Sequence, residues 1–478
     1  MTFRLMTLSL IAVSVAAASL SGAQGPPAQD RGVPTFTKEV APIVYAKCAS
    51  CHRPGEVAPM SLLTYRDVRP WASAIREKVM TRAMPPWHAD RQYGRFRNDT
   101  SLTQPEIDTL VAWVDGGARE GDPAALPPQP RFPDGWQIGT PDVVFEMPTV
   151  YEVPARGEIE YQYFEVPTNF TEDRWMQAGE VRAGDRAHVH HIIVYVREPQ
   201  PVRRPTAMNV RAIPNPAGAA AAAARPAPAP RAAAAPDAAR PGLPERLTAV
   251  PPAAPGLPER LGAVPPAAPR AAARPGGGDA MLVNWAVGED APIHMPGTAK
   301  RIPAGSTLIF QVHYTTNGTP GKDRSRIGLI FAKEPPRREV RTGIIANATF
   351  AIPPAAAAHQ VEAEATFLED VNVWSMHPHM HLRGKDMTYT AIYPDGRREI
   401  VLSVPKYDFG WQTDYWLAEP LRLPKGAKLH VSAHFDNSAA NRANPDPTAT
   451  VRWGDQTWEE MMIGFFTYTV ESPPAAAP

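Results

Sequence analysis

The sequence predicts a multidomain protein in which a small all-α domain precedes two all-β sandwich domains. Its 478 residues are enough for about three domains of roughly 150 residues each. Apolar residues recur at helical spacing in the segment 33–126, and from about residue 140 they alternate with a period of two. The second pattern comes in runs rich in Val, Ile, Leu and Tyr, bounded by Pro, Gly and Asn, which is typical of β-sandwiches.

Composition excludes several classes of protein. The 49 basic and 49 acidic side chains balance, so no overall charge attracts nucleic acid or an anionic membrane, and we expect no nucleic-acid partner. The two cysteines, Cys48 and Cys51, are three positions apart, which excludes a scaffold built on disulfides. The 56 prolines are far above the usual proportion and predict that part of the chain is linker.

The first 23 residues are organised like a signal peptide. Arg4 precedes an apolar run over residues 7–20, and Ser21-Gly22-Ala23 matches the site that signal peptidase cleaves. We predict a signal peptide over residues 1–23 and a periplasmic or secreted bacterial protein. The apolar run of about 14 residues is shorter than the ~20 needed to span a bilayer. We therefore expect no stable membrane anchor, and a retained anchor is the alternative.

Three helices are expected in the segment 33–126. The spacing of apolar residues predicts the first two over residues 38–47 and 65–81. Thr103-Gln-Pro-Glu106 caps the third, which runs to Asp115 and ends before two glycines. A Pro-rich linker, 126–135, follows.

The β half is predicted as an N-terminal domain, 140–335, and a C-terminal domain, 336–472. Its clearest strands are residues 190–197, 307–314, 371–374 and 429–435.

An insertion over residues 199–278 interrupts the N-terminal β domain. More than half of its residues are Ala or Pro and none is aromatic, so it cannot bury a core and we predict that it is disordered. Two copies of one sequence, 242–255 and 256–269, differ at a single position and indicate a duplication in a loop.

The first chemical signal is Cys48-Ala-Ser-Cys51-His52. In C-x-x-C-H the two thiols form thioethers with the vinyl groups of a haem, and the histidine ligates the iron. A redox-active cysteine pair or a chance C-x-x-C is the alternative, but the adjacent histidine, the export signal and the helical surroundings favour one covalent haem c.

The helical segment resembles a class I cytochrome c domain, which implies a methionine as the second axial ligand of the iron. Arg82-Ala-Met84-Pro-Pro-Trp87 lies where that family places the methionine, after the middle helix and before the last. Met84 is therefore predicted as the axial ligand. Met60 and His88, which also lie in predicted loops, are the competitors.

The second signal is the grouping of histidines in the β half, which scatter would not produce. The groups are His188, His190 and His191; His377, His379 and His381; and His430 and His434, and His313 stands alone in a predicted strand. In a strand, residues i and i+2 face the same side, so two imidazoles spaced this way can bind one metal ion. Sites rich in nitrogen with an added thioether suit copper, and because no cysteine remains, a blue-copper centre is ruled out.

At these motifs the β half resembles the copper type II ascorbate-dependent monooxygenases, the family of the peptidylglycine α-hydroxylating and dopamine β-monooxygenases. The resemblance covers about residues 140–472 apart from the insertion. It implies two sandwiches that each carry one copper, facing each other across open solvent. The motifs that carry it are Ala187-His-Val-His190-His191-Ile-Ile-Val-Tyr195, Gln311-Val-His313-Tyr314, His379-Met-His381-Leu-Arg-Gly384, Tyr393-Pro-Asp-Gly396, Tyr407-Asp-Phe-Gly-Trp411-Gln, Phe435-Asp-Asn-Ser438 and Glu459-Glu-Met461.

The resemblance also implies two sets of copper ligands. An electron-transfer copper is expected at His190, His191 and His313, and an oxygen-activating copper at His379, His381 and Met461. Because neighbours in a strand normally point to opposite faces, the pair 190–191 requires a local distortion or ligation through Nδ1. His188 paired with His190 is an alternative at the first site, and His377 and Met462 are alternatives at the second.

The substrate is not expected to be a peptidylglycine. His377, Ile463 and Phe465 stand where the peptide hydroxylases have the Arg, Asn and Tyr that hold the peptide carboxylate. Together with the haem motif and the export signal, the resemblance implies an exported monooxygenase that hydroxylates a C–H bond of a small organic molecule with O2. The haem is expected to pass electrons from a periplasmic donor to the coppers. A non-catalytic periplasmic electron-transfer or copper-binding cytochrome is the alternative, and a purely structural β protein is a third.

Overall fold

Strands far outnumber helices in the part of the chain that the computed structural model describes, as the sequence predicts. The described residues are 32–54, 56, 58–132, 135–199, 207–215, 280–286, 291 and 293–471. The helices are α1 (Ala41–Lys47), α2 (Tyr65–Val68), α3 (Ala72–Met80) and α4 (Gln104–Asp115), with a π-helical turn at Phe36–Val40 and 3-10 turns at Arg69–Trp71 and Pro123–Ala125. The strands are β1 (Val143–Glu146), β2 (Tyr151–Val153), β3 (Gln162–Pro167), β4 (Arg174–Arg182), β5 (Val189–Arg197), β6 (Met208–Ile213), β7 (Ala280–Ala286), β8 (Thr298–Ile302), β9 (Thr307–Tyr314), β10 (Gly321–Asp323), β11 (Arg326–Phe331), β12 (Arg338–Ala346), β13 (Ala351–Ile352), β14 (His359–Phe367), β15 (Val371–His379), β16 (Gly384–Ile392), β17 (Arg398–Val404), β18 (Tyr415–Leu423), β19 (Lys428–Phe435), β20 (Val451–Arg452) and β21 (Ile463–Val470).

The predicted helix that Thr103 begins is confirmed as α4. The Thr103 side chain accepts a hydrogen bond from the Glu106 backbone while the Glu106 carboxylate binds the Thr103 backbone, a complete capping box. The helix predicted over residues 65–81 is divided into α2, a 3-10 turn and α3. The division falls at Pro70, which has no backbone N–H to donate to the preceding turn.

Residues 87–98, here called the docking segment, leave the helices and pack onto the second half of the chain. The rings of Trp87 and Phe96 lie 5.1 and 5.5 Å from that of Tyr415. The backbone of Arg97 donates to the Trp416 carbonyl, and that of Ala418 donates to Arg95. The segment thus covers the outer edge of β18, which would otherwise expose unpaired backbone groups.

The β half consists of two units, each with two sheets around an apolar core. In the first unit the sheet β3-β9-β5-β7 packs on the strands β1-β11-β4-β8, and in the second the sheet β17-β16-β19-β14-β6 packs on β12-β21-β15-β18. The parallel pairing of β8 with β12 joins the two sets into one eight-stranded sheet. A continuous sheet therefore links the two units, an arrangement that the expectation of two sandwiches did not include.

The expectation of disorder was wrong for part of the insertion 199–278. Residues 208–213 form β6, which pairs with β14 at the edge of the five-stranded sheet of the second unit. Arg211 lies 2.7 Å from the Glu364 carboxylate across this pairing. The Ala and Pro content averaged over the whole insertion concealed one short stretch that can pair its backbone with an open strand edge. The tandem copies 242–269 lie outside the described residues.

Because side chains alternate along a strand, both units present apolar side chains on their outer faces where they meet. Along β5 the residues Ile192 and Val194 enter the core of the first unit, and Ile193 faces outward. Along β21 Phe466 enters the core of the second unit, and Phe465 faces outward. Ile193 and Phe465 belong to one small buried cluster that joins the two faces. Side chains on these outward faces are therefore held close together.

Among the described residues, no helix is long and apolar enough to cross a membrane. The predicted signal peptide, 1–23, lies outside the described residues.

Replacing Trp87 with Ala is expected to lower the free energy of unfolding by about 2 kcal/mol. This is less than the loss on replacing a fully buried Trp, because the Trp87 ring is only partly enclosed. Urea unfolding followed by circular dichroism measures the change. Trp71→Ala is the control, because Trp71 is 41% exposed and surface replacements change stability by about 0.5 kcal/mol or less. Equal losses in both variants would contradict the docking of residues 87–98.

Candidate metal centres

A β-bulge lets two adjacent histidines share one side of the sheet. Val189 pairs with Tyr314 and His191 pairs with His313, so the register between β5 and β9 shifts at His190, which is the extra residue. A bulge of this kind re-aims a side chain that regular alternation would point to the opposite face. The distortion that the sequence requires at residues 190–191 is therefore present.

The Nδ1 atoms of three histidines converge. His190 Nδ1 lies 3.0 Å from His191 Nδ1 and 3.3 Å from His313 Nδ1. Each imidazole nitrogen offers one lone pair or one proton, so His190 Nδ1 cannot satisfy both neighbours by hydrogen bonding. A metal ion about 2 Å from each nitrogen would satisfy all three. Among the described residues, this is the one group of three or more His, Cys, Asp or Glu ligands close enough to hold a metal ion.

Burial keeps these imidazoles neutral. It lowers the pKa of His190 to about 4, and it lowers the pKa of His191 and His313 well below the ordinary value, with the neighbouring histidines adding to the effect. A neutral imidazole has the lone pair that a metal requires. The group is therefore ready to bind a metal at neutral pH.

His188 is not available as the alternative ligand. Its Nδ1 lies 2.7 Å from the Asp185 carboxylate and its Nε2 lies 3.0 Å from the Thr319 carbonyl oxygen. Both ring nitrogens are therefore engaged in holding the loop that precedes β5. This geometry favours His190 and His191 over the pairing of His188 with His190.

A second pair of histidines lies at the end of β15. The His379 Nδ1 donates to Gln412 Oε1 at 2.7 Å, and the His381 Nδ1 donates to the Glu459 carbonyl at 3.2 Å. Such bonds fix the tautomer and leave Nε2 as the atom that can ligate a metal. His381 Nε2 is buried and has no hydrogen-bond partner within the described part of the chain. The rings lie 5.4 Å apart at 87°.

Glu460 fixes the backbone around this second pair. Its carboxylate accepts from the backbone N–H of His381 at 2.9 Å and from that of Arg383 at 2.6 Å. Burial raises the pKa of Glu460 to about 8, against the opposing effect of these donors and of the Arg383 charge. The residue before Met461 therefore joins the end of β15 to the start of β21.

Met461 and the alternative ligands Met462 and His377 lie in different environments. Met461 packs beside the apolar cluster that joins the units, and its place as third ligand stays a prediction. The side chain of Met462 is fully buried in the core of the second unit, on the opposite face of the chain. His377 faces the junction with its Nδ1 3.3 Å from an Asp414 carboxylate oxygen, and it stays an alternative.

The two groups of histidines are separated by aromatic rings rather than by open solvent. Tyr161 lies 4.9 Å from the His313 ring and 6.5 Å from the His381 ring. Phe409 lies 5.0 Å from the His190 ring and 6.1 Å from the His381 ring. The open separation implied by the resemblance is therefore wrong for this structure, because the outward faces of the units are packed together.

The C-x-x-C-H motif follows α1. Cys48 and Cys51 are not joined by a disulfide, and burial raises the pKa of Cys48 to about 12. The Nδ1 of His52 lies 3.3 Å from the Met60 carbonyl oxygen, which leaves Nε2 as the ligand atom. The unbridged cysteines and the orientation of His52 fit the attachment of a haem through two thioethers and one histidine.

Met84, the predicted axial ligand of the haem, and its two competitors lie in separate places. Met60 packs against the core of the helical region. Met84 lies in the loop after α3, where its backbone binds the Lys78 carbonyl. His88 lies in the docking segment, beside Tyr407 and Asp408 of the second β unit. This position argues against His88, while Met84 and Met60 both stay open.

No protein-family model matches the chain, and no curated protein matches its sequence. The residues and their geometry therefore carry the functional argument.

Four residues at the centres were not singled out from the sequence: Tyr161, Phe409, Gln412 and Glu460. The motif around residues 407–412 indicated that this loop matters, but not which ring or amide reaches a histidine. Only the contact between elements distant in the chain identifies them.

Replacing His313 with Ala is expected to weaken metal binding at the first group by more than about 100-fold. Removing a residue that only hydrogen-bonds to a ligand lowers metal affinity by about 10- to 100-fold, and removing the ligand itself costs more. Titration with Cu²⁺ against a competing chelator measures the affinity. His188→Ala is the matched control and is expected to change the affinity by less than about tenfold. A larger loss in His188→Ala than in His313→Ala would reverse the ligand assignment.

Proposed function

We propose that the protein is an exported haem- and copper-dependent monooxygenase that hydroxylates a C–H bond of a small organic substrate. One observation carries the proposal: three converging imidazole Nδ1 atoms lie beside a second histidine pair that outer partners orient for ligation. Nitrogen ligands with an added thioether suit copper. The order of these groups along the chain is that of the copper type II ascorbate-dependent monooxygenases, and we propose membership of that family on this ground.

The reaction requires two electrons for each substrate molecule. One atom of O2 enters the C–H bond as a hydroxyl group, and the other leaves as water after taking two electrons and two protons. Copper would supply electron storage at the first site, His190, His191 and His313, and oxygen activation at the second, His379, His381 and Met461. Two electrons can be stored at two metal sites that each hold one, and the two groups of histidines would form these sites.

The protein side chains hold the donors and exclude water. Neutral imidazoles at both groups present lone pairs without first losing a proton. Gln412 and the Glu459 carbonyl fix the orientation of His379 and His381. The rings of Tyr161 and Phe409 fill the space between the groups, which shields this region from solvent.

A haem c bound at Cys48, Cys51 and His52 would supply single electrons from a periplasmic donor. The segment that follows His52 contacts the first β unit. Glu56 forms ion pairs with Arg53 and with Arg186, and Arg186 lies four residues before His190. This contact supports a role of the helical region as the electron donor to the first copper.

A non-catalytic electron-transfer or copper-binding cytochrome is the second candidate. The observation that favours it is the environment of the positions that hold a substrate carboxylate in the peptide hydroxylases. Ile463 and Phe465 belong to the apolar cluster between the units, and His377 is beside Asp414. Oxygen uptake coupled to a hydroxylated product distinguishes the two functions.

Stopped-flow oxidation of the reduced protein by O2 tests the relay. We expect the ferrous haem absorbance to decay at least about tenfold faster with copper loaded than without it. His379→Ala is expected to remove this acceleration, and His188→Ala is expected to retain it. Equal decay with and without copper would contradict electron transfer from the haem to the copper sites.

A further inference from the structure

The loop 407–412 of the second β unit contacts both groups of histidines. The Phe409 ring stacks on His190 with centroids 5.0 Å apart and an interplanar angle of 16°, and it lies 5.7 Å from the His313 ring. Gln412 Oε1 accepts from His379 Nδ1 at 2.7 Å. One short loop therefore contacts a predicted ligand of each site.

The beginning of the loop is fixed to the backbone of the second site. The Tyr407 hydroxyl donates to the Met380 carbonyl at 2.7 Å and accepts from the Met380 N–H at 3.1 Å. Met380 lies between His379 and His381, and its side chain is fully buried. The position of Phe409 therefore depends on the geometry of the second histidine pair.

We propose that the loop 407–412 couples the two metal sites, so that a metal at the second site raises the metal affinity of the first, with Phe409 as the positioning residue. The inference rests on the proposed function in taking both groups as metal sites. It adds to that function a dependence of one site on the other.

The coupling has a physical cause in the His379–Gln412 bond. A metal on Nε2 withdraws charge from the ring, which makes Nδ1–H a stronger donor to Gln412 and restrains the loop. The restrained loop holds Phe409 against the His190 ring. The His190 Nδ1 atom then stays directed toward the Nδ1 atoms of His191 and His313. The first site then binds its metal with less loss of conformational freedom. By linkage, a metal at the first site raises the affinity of the second by the same factor.

The test compares the Cu²⁺ affinity of the first site with the second site intact and disabled. His381→Ala disables the second site and keeps the bond between His379 and Gln412. The electron paramagnetic resonance signal that remains in this variant identifies the first site. We expect its affinity to be about tenfold weaker than in the unmodified protein, within the range typical of coupled sites.

Variants of Phe409 assign the coupling to the ring. In Phe409→Ala the affinity of the first site is expected to be the same with and without His381→Ala, whereas Phe409→Tyr is expected to keep the tenfold ratio. Phe170→Ala is the matched control, because Phe170 is also half-buried between two rings, Phe145 and Phe331, each at 5.7 Å. It is expected to keep the ratio.

Two results would overturn the inference. One is an equal Cu²⁺ affinity of the first site with and without His381→Ala, and the other is a tenfold loss on His381→Ala that persists when Phe409 is replaced by Ala. If Phe409→Ala does not fold, Phe409→Leu, which removes the ring and keeps apolar bulk, replaces it. Oxidation of the ferrous haem by O2 is measured on the same samples. Copper-dependent oxidation without coupling overturns the coupling alone, whereas failure of the histidines to bind Cu²⁺ overturns the proposed function as well.

Discussion

A ring nitrogen enclosed between two packed sheets costs free energy unless it has a partner, and the centre of this molecule depends on that constraint. His379 and His381 meet it at Nδ1 through Gln412 and the Glu459 carbonyl. His190, His191 and His313 turn their Nδ1 atoms toward one another, an arrangement that one shared proton cannot satisfy. Burial also lowers the pKa of all three imidazoles, and the three nitrogens lie close enough together to hold a metal ion.

Local patterns were sufficient to predict several elements. The capping residues of α4 lie within one turn, and the strand Thr307–Tyr314 has the bounds that its alternation predicts. The adjacency of His190 and His191 implied a distortion, and β5 contains it. The edge strand β6, the docking segment and the positions of Phe409 and Gln412 depend on contacts between residues far apart in the chain. Periodicity does not encode such contacts.

The helical region contacts both β units. Glu56 reaches Arg186 of the first unit, and residues 87–98 cover the edge of β18 in the second. The C-x-x-C-H motif is therefore fixed beside the loop that leads into β5, and is not joined by a flexible tether alone. The proposed relay of single electrons requires a fixed contact of this kind.

Copper and haem content, determined on one sample of the protein exported to the periplasm, tests the central claim most directly. Elemental analysis gives the copper and the pyridine haemochrome spectrum gives the haem. The account predicts about two coppers and one covalent haem per chain, because the chain has two groups of histidine ligands and one C-x-x-C-H motif. One haem without copper, after reconstitution with Cu²⁺, would contradict it.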